Sequence, residues 1–249
     1  VKRYPAVSFS LLFFLFPVVD TAAGDDYADG KLSKALILGG NSHTVKIPHY
    51  GGLNPAKAIT ISAWIKPERV GKGKWEWQEI YRKEDGDARI FMAIGDYEKK
   101  HSLCFGLGIG GKHVVHGVPL EPNKLLDGKW HLVSVTFDGK AMKFYADGQQ
   151  IGASTKASGA IDTKGEAPAY IGSMKGAREF FKGGIDDVRL YKRALSADEI
   201  KTMALADGEA TVAGLAGWWK LDGNVENSAA GSPKTLLAEL YRTHRKEIA

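Results

Sequence analysis

The stretch Asp127-Gly-Lys-Trp-His-Leu-Val-Ser-Val-Thr-Phe-Asp-Gly139 decides the fold. Between its two Asp-Gly pairs, His131, Val133, Val135 and Phe137 alternate with Trp130, Leu132, Ser134 and Thr136. Side chains repeat every second residue on a strand, so this is a strand with two distinct faces. Ala141–Ala146, then Asp147-Gly148, then Gln149–Ala153 follow at once. Asp-Gly between two β-like runs marks a tight hairpin, because a type I′ turn needs positive φ at both central residues. Residues 129–153 therefore read as an antiparallel meander.

The same signals recur on both sides. Ala58–Lys66 places Ile59, Ile61, Ala63 and Ile65 on one face and Thr60, Ser62, Trp64 and Lys66 on the other, and Pro67 stops the run. Trp77–Lys83 and Ala88–Gly95 form a hairpin around Glu84-Asp85-Gly86-Asp87. Ser102–Ile109 is closed by Gly110-Gly111, and His113–Gly117, Ala169–Gly172 and Gly184–Lys192 add further strands. One helix is expected. Ser196-Ala-Asp-Glu199 is a capping box, Leu195, Ile200, Met203 and Ala204 keep helical spacing, and Asp207-Gly208 ends it, with Gly208 suited to a left-handed cap. Strands without βαβ alternation predict an all-β antiparallel sandwich with one short flanking helix.

The amino end reads as a secretory signal peptide over residues 1–23. Lys2 and Arg3 precede an apolar run centred on Leu11–Phe16, and Thr21-Ala22-Ala23 supplies small residues for cleavage. The run is shorter than the about 20 apolar residues of a membrane span. An exported product in the secreted, cell-envelope or periplasmic space is expected, with no membrane span after cleavage. Cys104 is the single cysteine, so no internal disulfide is expected, and its apolar neighbours predict a core role. The formal charge of +5 is spread along the chain apart from Arg242–Lys246, which argues against a nucleic-acid partner.

Four stretches in this order carry a resemblance: Ile59–Pro67, Asp127–Gly139, Phe144–Gly148 and Phe181–Ser196. Together they resemble the laminin-G-like jelly-roll domain of the concanavalin A-like lectin/glucanase superfamily. The resemblance implies a two-sheet jelly roll over residues 31–206. It also makes Gly214-Leu-Ala-Gly-Trp-Trp-Lys-Leu-Asp-Gly-Asn224 look like such a domain's first strand, displaced to the far end of the chain. Two placements are open for residues 207–249. They are the stub of a second repeat, or a permuted edge strand that docks on the main sandwich. Leu236–Lys246 is expected to be a short helix.

Because the superfamily includes glycoside hydrolases, the carboxylates need testing. A retaining glycosidase holds two carboxyl groups about 5–5.5 Å apart. No Glu-x-Asp-x-Glu strand occurs, and Glu76 and Glu79 sit at the wrong parity to share a strand face. The chain has no His-Glu-x-x-His and no serine nucleophile elbow. A non-catalytic module that binds carbohydrate or a glycoconjugate is expected. The alternatives are a structural or protein-adhesion module of the envelope, and a glycoside hydrolase-related enzyme. The expected partner is a glycan or an extracellular protein. Trp75, Trp77, Tyr97, His113 and Phe180, in or beside expected loops, are the candidate ligand contacts. Asp186 shares the parity of the apolar Val188 and Leu190, and a buried carboxylate needs a partner. The resemblance implies one structural Ca²⁺ between that strand and a glycine-rich turn, here Gly39-Gly40-Asn41. The family's turn often has Asp where this chain has Asn41 or Ser42.

Overall fold

The computed structural model describes residues 26–68, 77–121, 124–206, 213–230 and 239–242. The expected signal peptide and Trp75 lie outside the described residues. The chain runs through β1 (Tyr27–Asp29), β2 (Lys34–Gly39), β3 (His43–Ile47), β4 (Ile59–Pro67), β5 (Gln78–Asp85), β6 (Ala88–Tyr97), β7 (Lys100–Ile109) and β8 (Lys112–Pro119). It continues with β9 (His131–Phe137), β10 (Met142–Ala146), β11 (Gln149–Ser154), β12 (Ala169–Ile171), β13 (Lys182–Tyr191), α1 (Ala197–Leu205), β14 (Leu215–Trp219) and β15 (Glu239–Arg242).

The strands form two antiparallel sheets. One has the order β1-β2-β13-β4-β9-β10-β11, with β14 also on β13; the other runs β15-β3-β12-β5-β6-β7-β8. The alternation seen in the sequence becomes the packing between them. Ile61, Ile65, Val133, Val135 and Phe137 of the first sheet meet Ile90, Met92, Leu103 and Phe105 of the second in one buried core. Of the Asp-Gly pairs, Asp147-Gly148 makes the two-residue hairpin, with φ of 51° and 79°. Asp138 instead caps its turn by accepting from the amides of Lys140 and Ala141, at 2.9 and 2.8 Å.

The outer face of the first sheet is covered by α1. Trp64, Leu132 and Tyr145 pack there against Ile200 and Met203. The capping box is complete: Ser196 Oγ accepts from the Glu199 amide at 3.2 Å, and Glu199 accepts from the Ser196 amide at 2.8 Å. The helix ends at Leu205, with Ala206 extended at its C-cap, so the stop falls before Asp207; the expected Gly208 cap lies outside the described residues.

The Gly214–Asn224 segment docks on the main sandwich. β2 pairs with the first half of β13, Gly39 opposite Lys182 through Leu36 opposite Ile185. β14 pairs with the second half, Val188 opposite Trp219 through Tyr191 opposite Leu215. The two short strands thus share one edge of β13, while β4 takes the other. Trp219 and Leu221 are fully buried in the main core.

The expected tail helix is overturned. Within residues 236–246, Glu239–Arg242 is a strand antiparallel to β3, Glu239 opposite Lys46. A helix this short is marginal in water, whereas the free edge of β3 offers a row of unpaired backbone groups.

Candidate ligand-binding face

The face of the second sheet that points away from the core carries a different set of side chains. On β6, Ile90, Met92 and Ile94 face the core, so Phe91, Ala93, Gly95 and Tyr97 face out. By the same parity β7 presents Cys104 and Gly106, and β8 presents His113, Val115 and Gly117. Phe91, Ala93 and Cys104 form a separate apolar cluster, flanked by half-buried Trp77, Tyr97 and Val115.

Three aromatic side chains pack against glycines on this face. A Cβ on Gly106 would stand 2.0 Å from a Phe91 ring atom, one on Gly117 2.6 Å from Tyr97 Cγ, and one on Gly95 3.1 Å from Trp77 Cγ. A side chain at Gly106 or Gly117 would collide with the ring, and one at Gly95 would crowd Trp77. Trp77 meets Phe91 edge-on at 6.0 Å, and the Tyr97 hydroxyl donates to the Val115 carbonyl at 3.3 Å.

Beside the rings is a buried charge network. A bulge between Glu79 and Tyr81 sends Glu79, Arg82 and Glu84 to the same outer face. The Arg82 guanidinium donates to Glu79 Oε1 at 2.5 Å and to Glu84 Oε2 at 2.7 Å, and stands 5.0 Å over the Phe91 ring. Arg89 donates to the other Glu84 oxygen at 2.6 Å. Glu179 lies 3.9 Å from Arg82, and its carbonyl accepts from the Glu79 amide at 3.0 Å. Burial pushes the Glu79 carboxyl well above the ordinary carboxylate range, Arg82 pulls the other way, and a hydrogen bond shared with Glu179 adds to the rise. Burial also opposes ionisation of Glu84, but its bonds from Arg89 and Arg82 outweigh it and hold the group low.

Glu79 and Glu179 are the facing carboxyls that strand parity did not foresee. The Glu79 side chain is 0% exposed, while Glu179 keeps 30% of its side chain exposed. A glycosidase pair needs both groups open to substrate across a gap. Glu79 lacks that access.

Of the expected contacts, Trp77, Tyr97 and His113 share this outer face. His113 lies toward its far end, 3.4 Å from Asp87. Phe180 does not serve as a surface platform, since it is 8% exposed in the turn before β13. Phe91 was missed: its run alternates, but the sequence does not say which face a ligand would use. Cys104 is buried as expected, and burial together with Glu79 and Asp96 pushes its thiol up. A groove of about 480 Å³ lined by Asp85, Asp87, Asp162 and Lys164 lies at the opposite end of the sheet. Its carboxylates are engaged. Asp162 accepts from the amides of Gly110 and Gly111, and Asp85 from that of Glu166.

The structure separates the residues expected to share a cation. Gly39 pairs with Lys182, four positions from Asp186 along β13, or about 13 Å at strand rise. Parity placed Asp186 inward but could not fix the register of β2. Asp186 Oδ2 instead accepts from the amides of Lys31 and Leu32, at 2.8 and 3.1 Å. Its Oδ1 is buried without a hydrogen-bond partner. Burial, with the neighbouring charges of Asp187 and Asp222, pushes its pKa up to about 6 against the pull of the two amides. Asp187 is committed to Arg189 and to the Trp218 indole N–H.

The comparisons with known proteins agree with this architecture. A structure described as a candidate carbohydrate binding protein from Bacteroides ovatus superposes with a TM-score of 0.58 at 21% identity, covering 84% of this chain and 59% of that one. Domain 4 of AbnA, a GH43 extracellular arabinanase from Geobacillus stearothermophilus in complex with arabinotriose, gives 0.52 at 22% identity, covering 72% and 80%. Adhesion G-protein coupled receptor V1 of Danio rerio is 25% identical over 150 residues, 57% of this chain but 2% of the receptor. A family model matches residues 39–201, and the chain belongs to the concanavalin A-like lectin/glucanase superfamily.

Proposed function

We propose that this chain is an exported, non-catalytic carbohydrate-binding module whose ligand stacks on the outer face of the second sheet, at Trp77 and Tyr97. The observation that carries the reading is the pair of half-buried rings, Trp77 packed on Gly95 and Tyr97 packed on Gly117, beside a hydrogen-bonding network. Sugar C–H faces stack on flat rings, and carboxylates and guanidiniums bind hydroxyls. The solved structures it resembles, a candidate carbohydrate binding protein and an arabinotriose-bound domain, support it. The full burial of Glu79 supports binding rather than hydrolysis at this pair. The leader-like sequence of residues 1–23 supports export. Among the described residues no helix is long and apolar enough to cross a membrane.

A glycan array on the mature protein tests the reading. Saturable binding lost in Trp77→Ala and Tyr97→Ala, with folding retained, is expected. Array binding that survives both substitutions would place the ligand elsewhere. The match to an adhesion receptor favours protein adhesion as the second reading. A specific envelope or extracellular protein captured without any glycan signal would establish that instead.

One bound Ca²⁺ is also proposed, at Asp186 alone of the three residues first considered. The partnerless buried Oδ1 supports it, since an unmatched carboxylate oxygen is a ready ligand for a hard cation. Among the described residues no three His, Cys, Asp or Glu side chains are grouped to hold a metal, so backbone carbonyls would supply much of the shell. The ion's part would be to neutralise Asp186 and tie the turn before β2 to β13.

A further inference from the structure

The charge network beside the rings also bears on what kind of glycan fits. We infer that this face takes an uncharged glycan and that Glu179 is its polar contact. The inference rests on the binding-face reading above.

Arg82 is 4% exposed and its donors are taken by Glu79 and Glu84. Arg89 is tied to Glu84. Arg82 is therefore closed to a carboxylate or sulfate on a ligand, and Arg89 holds one Nη on Glu84 with its Nε buried. Glu84 is matched by the two arginines, and Glu79 is buried against Arg82. The remaining member, Glu179, keeps 30% of its side chain exposed, more than Arg89 at 19%. What the network shows to solvent is therefore a carboxylate.

The backbone that carries this carboxylate is held in place. Glu179 has φ of 54° and its carbonyl accepts from the Glu79 amide at 3.0 Å, with its carboxylate 3.9 Å from Arg82. Its neighbour Arg178 turns aside, with Nε 3.1 Å from Met174 Sδ. A carboxylate on a held backbone beside stacking rings accepts two hydroxyl donors from a neutral sugar. The same carboxylate repels a uronate, sialate or sulfate group.

Titration calorimetry on the full chain tests this, using uncharged pentose and hexose oligosaccharides and equal-length oligosaccharides ending in a uronate or sialate. Neutral ligands should bind at least about tenfold more tightly than acidic ones. Glu179→Gln should weaken neutral binding by about tenfold, the loss of a charge-assisted hydrogen bond, and narrow the gap between the classes. Glu179→Lys should reverse the preference. Melting curves confirm that each variant folds; if neither does, the wild-type comparison of the two ligand classes still decides. Acidic ligands binding as well as neutral ones, or folded Glu179→Gln binding neutral ligands unchanged, overturns the inference and leaves the glycan reading intact. Binding of neither class overturns the glycan reading and this inference with it.

Discussion

Replacing Trp219 by alanine asks whether the carboxyl-terminal segment is part of the folded domain. Trp219 is 0% exposed, sits in the main core, and lies 6.3 Å from the Tyr81 ring. Its indole N–H has no partner, so its contribution is apolar packing. Removing a core tryptophan costs about 3–5 kcal/mol. A domain of 150–250 residues loses roughly 2–4 °C per kcal/mol, so Trp219→Ala should lower the melting temperature by roughly 6–20 °C. Urea unfolding followed by circular dichroism gives the free energy directly. Trp219→Phe, which keeps a ring against Tyr81, should cost about 2 kcal/mol or less. A cost below about 1 kcal/mol for the alanine variant would mean that β14 does not complete the sheet, and the docking would be refuted.

Three further outcomes are expected. His131 bridges Asp147 and Asp127, each at 2.9 Å, and the bond to Asp147 leads in raising its pKa, with burial opposing. A raised histidine stabilises most below its unfolded value of about 6.5 and loses that contribution as pH climbs through the folded value. His131→Gln should thus cost most stability below about pH 6.5 and progressively less above it, and an unfolding series showing a pH-independent cost would contradict the bridge. Gly106→Val should displace Phe91, lower stability by about 1–3 kcal/mol and weaken ligand binding, read by calorimetry on the folded fraction. Ca²⁺ should raise the melting temperature of the wild type but not of Asp186→Asn, and EDTA should lower it; unchanged curves in both would remove the cation from the account.

The strands were legible because their alternation is a local consequence of the pleat. Asp147-Gly148 and the Ser196–Glu199 box were legible because their chemistry is contained in a few adjacent residues. What covers a face was not. Trp64 stands on the face that alternation assigned it, yet α1, 130 residues later, buries it. Register between distant strands was equally hidden, which is why Gly39 and Asn41 were placed beside Asp186 although β2 pairs the other way along β13. The bulge at Glu79 breaks simple parity, so Glu79 and Arg82, three residues apart, share a face that period two would separate. The glycines at 95, 106 and 117 fall within or at the ends of expected strands; their packing against Trp77, Phe91 and Tyr97 depends on neighbouring strands at once. The tail strand at 239–242 depends on the free edge of β3, which no local pattern reports.

Amide chemical-shift mapping with a glycan found by the array tests the central claim most directly. The expected result is saturable shifts at Trp77, Gly95, Tyr97, Gly117 and Glu179. Shifts confined to the Asp85–Asp162 groove, with the ring-bearing face unmoved at saturation, would contradict it.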